Sequence, residues 1–569
     1  MGWLGTSSSM ILNDGDGDDE NESQLDLETG KLLSLNLVPL SALRGSHRNS
    51  SSPSYGGSHH RRRWRRRTLW RIVVSLAATV AGAVSLGIYL RNSRRSARHS
   101  LNTPDASHRP LTILVSLDGF RASYLDLGLT PTLRSLYTSH QNTTRIGLRA
   151  SSLIPSFPSV TFPNHYTLAT GQWPAQHGIV SNAFWAPDVS APFLYTDPAS
   201  NRNPEFWRAA TPVWVAAERQ NVSSAVMAWP GSEAEHVNAS SPVRRPGRWT
   251  HYRDMPAARR VNLIMTWLDP RNATGLVGSD LPDADSDDWP GWPGYKREQW
   301  PASAPPVDPA PPDFVALYIP DVDKAGHAYG PDSPQVAAAL VAVDTQLARL
   351  IELLRASGRW DATNLVIVSD HGMTKALSES DVEHGDFVDG VVMGAVDLSK
   401  LPLDTRRISL SQSLGTFRNV SMIRDRWPVV LLEPKELSDV PAIFATLAKN
   451  AVHYTPYAQG ISDIPTGMRY SDNLRIPPIV VVPDPGFQFE DLAGEPLPIG
   501  MHGYDVDSDD MRAIFIASGP LVANSTGLFE KNREHVVPAF ANVEVYAIVC
   551  KALGIRPDWH AGTGVSWLT

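Results

Sequence analysis

The chain has 569 residues, of which 42% are hydrophobic, enough for a large buried core together with segments that lie outside it. With 59 acidic against 51 basic residues the formal charge is −8, so there is no overall basic excess to hold nucleic acid through its phosphates, and no stable nucleic-acid complex is expected. A single cysteine, Cys550, excludes any intrachain disulfide; set in the apolar run VEVYAIVCKALG, it reads as a buried, inert thiol.

The N-terminal residues, rich in Ser, Gly, Asp and Glu and without apolar periodicity, run into an arginine block, and residues 1–71 are expected to be a disordered tail with a polybasic flank. From Ile72 to Leu90 no residue is charged, which is long enough to cross roughly 30 Å of hydrocarbon as a helix. Arg61, Arg62, Arg63, Arg65, Arg66, Arg67 and Arg71 precede this run, against Arg91, Arg94, Arg95 and Arg98 after it. The positive-inside rule then keeps the N-terminus cytoplasmic and makes residues 72–90 a type II transmembrane helix. Everything beyond would be luminal or extracellular, at the plasma membrane, the vacuole or elsewhere along the secretory pathway. Glycosylation sequons do not decide the topology, because Asn21 and Asn49 begin such triplets before the span just as Asn142, Asn221, Asn238, Asn272, Asn419 and Asn524 do after it.

A stalk over 91–109 leads into a large domain over 110–569, where short apolar runs alternate with helical patterns. LTILVSLDGF, FVALYIPD, NLVIVSDHGM and MRAIFIASG are β-branched runs that close on polar residues or glycine. The stretch from about Ser333 to Ser357 predicts an amphipathic helix capped by Gly358. The expected fold is α/β, a largely parallel central sheet flanked by helices. Residues 269–313, dense in Pro, Trp, Gly and Asp, break the pattern and read as a surface insertion.

Three of these strands end in carboxylates: Asp118 after ILVSL, Asp321 and Asp323 after VALYIP, and Asp370 after LVIVS. In open α/β sheets ligands bind beyond the C-terminal edge, so acids distant in sequence can converge on one crevice, although a lone Asp after a strand is also an ordinary turn residue. Histidines accompany them: His371 follows Asp370, His327 lies four residues after Asp323, and His502 stands in GMHGYD. Imidazole nitrogen and carboxylate oxygen are ligands that suit zinc without any cysteine. In VTFPNHYTLATG, Pro163 suits a first helical turn and would set Thr161 at a helix N-terminus, where backbone donors favour a phosphate; the alternative is an ordinary cap with Asn164 a solvated polar residue.

SLDGFR, TFPNHYTLATG, HGIVSN, DKAGH, SDHGM and MHGYD, in this order over about residues 111–521, closely resemble the nucleotide pyrophosphatase/phosphodiesterase family of the alkaline phosphatase superfamily. The resemblance implies an alkaline-phosphatase-like fold and two zinc ions. One would be held by Asp118, Thr161, Asp370 and His371, the other by Asp323, His327 and His502, with Asp321 a non-ligand acid. It further implies Thr161 as the nucleophile that carries a covalent phosphoryl intermediate, and Asn164 as a donor to a phosphate oxygen. Phe162 and Tyr252, the latter ahead of RVNLIMTWL, would stack a nucleotide base, and Trp229-Pro230-Gly231 follows a family-like pattern. The implied reaction is hydrolysis of phosphodiester and pyrophosphate bonds of nucleotides, releasing nucleoside 5′-monophosphates.

Other readings stay open at this stage. The sulfatase motif C-x-P-x-R is absent, but a lipid phosphodiester substrate fits the same chemistry and the same aromatic residues. A catalytically silent ectodomain is a third reading, since fold alone does not establish function.

Overall fold

A computed structural model describes chiefly residues 109–138, 145–236, 246–268, 310–376, 407–489 and 498–568, with brief interruptions, and two short strands at 386–388 and 391–393. The expected tail 1–71, the span 72–90, nearly all of the stalk 91–109 and residues 269–309 of the expected insertion lie outside the described residues. Among the described residues no helix is long and apolar enough to cross a membrane.

The centre is an eight-stranded sheet: β1 (Leu111–Leu117), β2 (Gly147–Ala150), β3 (Ser224–Met227), β4 (Arg248–Thr250), β5 (Phe314–Ile319), β6 (Thr363–Val368), β7 (Phe515–Ser518) and β8 (Val536–Val537), in spatial order β8-β2-β7-β6-β1-β5-β3-β4. β6, β1, β5, β3 and β4 run parallel to one another, as the unbroken apolar runs LTILVSL, FVALYI and TNLVIV require of strands covered on both faces. β7 is antiparallel to both of its neighbours, so the sheet is mixed, and MRAIFIASG is a strand of the opposite sense to the other three runs.

Alternate strand residues feed two cores. Ile113, Val115 and Leu117, with Leu317 and Ile367, pack under α1 (Pro131–Tyr137), α4 (Ala257–Leu268) and α6 (Pro334–Ala356). Leu114, Ala316, Val366 and Phe515 pack under α2 (Thr161–Thr170), α3 (Val213–Arg219) and α7 (Glu544–Leu553), which buries Cys550 completely. The result is a three-layer α/β/α domain, in which truncating Leu114 to Ala would cost about 2–5 kcal/mol. The long helix begins where its sequence starts it, Ser333 accepting a hydrogen bond from the Val336 N–H at 3.2 Å, and ends before Gly358 at φ +70°.

A second, antiparallel sheet of Val420–Arg426, Val430–Pro434, Ile479–Pro483 and Tyr454–Ala458, covered by the helix Val440–Lys449, interrupts the single-sheet pattern. Val429, Leu431, Val480 and Val482 present its other face to the aromatic cluster around Phe162.

Register makes the site. Leu117 lies opposite Ile319, and Ser116 opposite Val368, so β1, β5 and β6 finish level. The residues that follow, Asp118, the first turn of α5 (Asp321–Tyr329) and Asp370, share one edge of the sheet.

Candidate active site

Close approach of three chain turns builds the floor of the site. Gly119 has φ +66°, and a Cβ there would stand 2.8 Å from the Cα and Cβ of Asp323, so only glycine lets the β1 turn reach α5. Its N–H donates to Asp370 Oδ1 at 3.2 Å, tying the β1 turn to the β6 turn. α5 begins immediately after β5, and its i,i+4 spacing sets Asp323 and His327 on one face, Oδ1 to Nε2 at 3.4 Å.

Two sets of three ligand-type residues result: Asp323, His327 and His502, and Asp118, Asp370 and His371. His371 Nε2 lies 3.0 Å from Asp370 Oδ2 and 3.4 Å from Asp118 Oδ1; His502 Nε2 lies 3.5 Å from Asp323 Oδ1. The rings of His371 and His502 stack at 3.5 Å and make the two sets neighbours. Each histidine is aimed in the same way: Nδ1 of His327 donates to Gly500 O, that of His371 to Gly372 O and that of His502 to Ser159 O, all at 2.9 Å. A carbonyl only accepts, so the proton sits on Nδ1 and every Nε2 points its lone pair into the site.

The carboxylates show the matching deficit. Asp118 Oδ1, Asp323 Oδ1 and Asp370 Oδ2 are buried without a hydrogen-bond partner, a costly state for ionised groups unless a cation completes it. Burial, reinforced by Asp323 and Asp370, pushes the Asp118 carboxyl well above the usual range. For Asp370 burial pushes the same way, but His371 and His165 outweigh it and hold the carboxyl well below. Burial, then the nearby His371 and His327, keeps His502 far below an ordinary imidazole. Imidazole nitrogens turned into the site beside carboxylates with free oxygens fit zinc.

Thr161 is the first residue of α2, 7% exposed, with Oγ1 3.4 Å from His371 Nε2. Sequence reasoning put it at a helix start, and it opens α2. Asp321 occupies the first position of α5, ahead of Asp323 and His327.

Asn164 is a correction. Its amide donates to the carbonyls of Ser156, Pro158 and Val160 at 3.2, 2.9 and 2.9 Å, and its Oδ1 accepts from Ser156 N at 2.7 Å and Asn542 Nδ2 at 2.8 Å. Fully buried and engaged at both ends, it braces the loop before Thr161 and has no donor to offer a phosphate. The amide next to Thr161 is that of Asn182, whose Oδ1 accepts from the Phe162 N–H at 2.9 Å and whose NH2 group is thereby turned outward from that bond. Asn182 closes the motif HGIVSN, in which sequence reasoning assigned it no role.

Two further residues behind the site were unassigned in the sequence. His165 donates its Nδ1 proton to Thr161 O at 2.9 Å, with Asp370 Oδ2 3.2 Å from the same nitrogen, while its Nε2 lies 2.9 Å from Ser116 Oγ. Tyr318 donates to Asp118 Oδ2 at 2.5 Å. Trp229, expected only as part of a pattern, donates its indole N–H to His165 O at 3.0 Å and so supports that ring.

Phe162 and Tyr252 are brought together, ring centroids 4.9 Å apart but at 78°, edge to face rather than as parallel walls. Phe193, Tyr195 and Trp207 surround Phe162 at 5.9, 5.6 and 6.3 Å. The Tyr252 N–H is fixed by Glu233 Oε1 at 2.6 Å.

A family model described as type I phosphodiesterase/nucleotide pyrophosphatase matches residues 112–505. The chain is 33% identical over 476 residues to an uncharacterised pyrophosphatase/phosphodiesterase of Schizosaccharomyces pombe, covering 82% of this chain and 81% of that one. It is 28% identical over 469 residues to ectonucleotide pyrophosphatase/phosphodiesterase family member 1 of Rattus norvegicus, covering 80% of this chain and 42% of the rat protein. Venom phosphodiesterase 2 of Crotalus adamanteus is 29% identical over 463 residues, which cover 79% of this chain and 46% of the venom protein. The chain thus spans under half the length of the rat and rattlesnake relatives. Among solved structures, murine ectonucleotide pyrophosphatase/phosphodiesterase 5 superposes with a TM-score of 0.60 at 26% identity, covering 80% of this chain and 97% of the murine one. An inactive threonine-to-alanine variant of that murine protein, solved in complex with AMP, gives the same TM-score of 0.60.

Proposed function

The chain belongs to the type I phosphodiesterase/nucleotide pyrophosphatase family, a family of hydrolases, and from that premise we propose that it hydrolyses phosphodiester and pyrophosphate bonds of nucleotides and releases nucleoside 5′-monophosphates. The observation that carries the proposal is the meeting, at one sheet edge, of six inward-facing carboxylate and imidazole groups with the hydroxyl of Thr161.

In this reading Asp118, Asp370 and His371 with Thr161 hold one zinc ion, and Asp323, His327 and His502 hold a second. Zinc, when bound, acidifies a hydroxyl next to it and offsets charge on phosphate oxygens. Thr161 gives up its hydroxyl proton to solvent, and its Oγ attacks phosphorus and forms a P–Oγ bond as the bond to the leaving oxygen breaks and that oxygen departs with the electron pair. Water then attacks the same phosphorus, the P–Oγ bond breaks, and Thr161 recovers its proton. His165 and Trp229 keep the start of α2 and Asp370 in place throughout, and the Asn182 amide donates to a phosphate oxygen. Phe162 and Tyr252 receive the base once the Tyr252 ring turns from its edge-to-face contact. The AMP held by the murine relative supports a nucleotide substrate. The uncharged run 72–90 and its arginine flanks support a type II anchor that puts this site on the luminal or extracellular side.

The test is hydrolysis of a p-nitrophenyl ester of a nucleoside 5′-monophosphate by the purified protein, with and without a chelator, beside a choline phospholipid. Chelator-sensitive release of the nucleoside monophosphate is expected. Turnover of the lipid alone would overturn the substrate, and turnover of neither would overturn the enzyme.

A further inference from the structure

Tyr318 is the last but one residue of β5, 2% exposed, and it stands between the two halves of the site. On one side its hydroxyl donates to Asp118 Oδ2 at 2.5 Å. On the other its ring tilts against Tyr252 with centroids 5.6 Å apart. The ring is clamped: the imidazole of His165 meets it edge-on at 4.9 Å, and the Arg260 guanidinium sits 5.4 Å from its centroid while donating to Tyr318 O at 2.9 Å. β5 is fully buried, so the phenol has no freedom to leave Asp118.

A carboxylate can offer a metal either oxygen or both. Here Oδ2 is occupied by the phenol, whereas Oδ1, buried and without a hydrogen-bond partner, lies 3.4 Å from His371 Nε2. We propose that Tyr318 is a positioning residue for the first metal: its phenol occupies Asp118 Oδ2 and leaves Oδ1 as the single ligand atom. This rests on the zinc reading given above. Partners of this kind behind a ligand typically account for about 10–100-fold in metal affinity.

The experiment is a zinc titration of the purified full-length chain and of Tyr318→Phe against a chromogenic chelator, with kcat and KM measured at limiting and at excess zinc. Tyr318→Phe keeps the ring and removes one hydroxyl. One of two zinc equivalents is expected to weaken about 10–100-fold with the other unchanged, and excess zinc should restore most of kcat with KM unaltered. Two equivalents bound as in the wild type would overturn the proposal and leave the zinc reading standing; wild-type protein that binds no zinc would overturn both. A raised KM that excess zinc does not correct would assign Tyr318 to the substrate instead, and also overturns the proposal. Should Tyr318→Phe fail to fold, 3-fluorotyrosine at position 318 keeps the question open to measurement: its fluorine resonance should move with the first zinc equivalent, and a resonance indifferent to zinc overturns the proposal.

Discussion

His327 and His502 face each other with their Nε2 atoms 3.1 Å apart, although each ring has already given its Nδ1 proton to a backbone carbonyl. Two nitrogen lone pairs so placed beside the open Oδ1 of Asp323 are reconciled by a cation between them. Zinc should therefore stabilise the chelated protein against unfolding, by about 3 kcal/mol per site at a hundredfold excess over its dissociation constant. His502→Ala should lose part of that gain and most of the activity. Thermal unfolding with and without added zinc measures it, and a melting temperature indifferent to zinc would sink the metal assignment.

Thr161→Ala should fold as the wild type does, since the side chain's one polar contact is the 3.4 Å approach to His371, and its turnover should fall at least about a thousandfold. Thr161→Ser, which keeps a hydroxyl at the same place, should retain far more. Turnover of a nucleotide p-nitrophenyl ester by the two variants decides the matter. A Thr161→Ala enzyme close to wild type would remove the covalent step.

Much of this arrangement was legible because the physics is local. Runs such as LTILVSL and TNLVIV can only be strands buried on both faces, and a carboxylate at the end of each falls on the ligand edge whatever lies between them in sequence. Ser333 and Gly358 likewise bracket α6 by their own cap chemistry. Strand direction has no such local code, which is why β7 had to be seen to be antiparallel. The short strands between Val420 and Pro483 form their own sheet through pairing that periodicity does not encode. The roles of Asn164 and Asn182 depend on which carbonyls lie within reach, a property of the folded loop and not of the motif.

His177 gives the fold an acid-sensitive element, its Nε2 lying 3.0 Å from Thr167 Oγ1 on α2. Burial, reinforced by the nearby Arg475 guanidinium, lowers its pKa to about 3, and its Nδ1 accepts from the Ile179 N–H at 3.1 Å. An unfolded histidine titrates near about 6.5. The stabilisation is therefore complete above that pH and is lost as the pH falls from about 6.5 towards 3, reaching roughly 4–5 kcal/mol in the limit. His177→Gln should be less stable at pH 7.5, and the gap to wild type should narrow by about 2–3 kcal/mol at pH 4.5. Denaturant titrations of both proteins at the two pH values test this, and a gap independent of pH would refute it.

The two asparagines near Thr161 should separate stability from catalysis. Asn164→Ala removes a side chain that satisfies the carbonyls of Ser156, Pro158 and Val160 together with the Ser156 N–H, all buried, and should cost about 2–4 kcal/mol of stability. Whatever activity it loses should be recovered in the fraction that remains folded. Asn182→Ala gives up one bond from the Phe162 N–H in a half-buried position, so its stability should change by no more than about 1 kcal/mol. If its amide meets the charge that grows on phosphate, kcat should nevertheless fall about 100–1,000-fold with little change in zinc content. Unfolding curves and single-turnover rates on the two variants make the comparison. The reverse pattern, with Asn164→Ala stable but slow and Asn182→Ala unstable but fast, would return the phosphate contact to Asn164 and contradict the hydrogen bonds that now hold it to its loop.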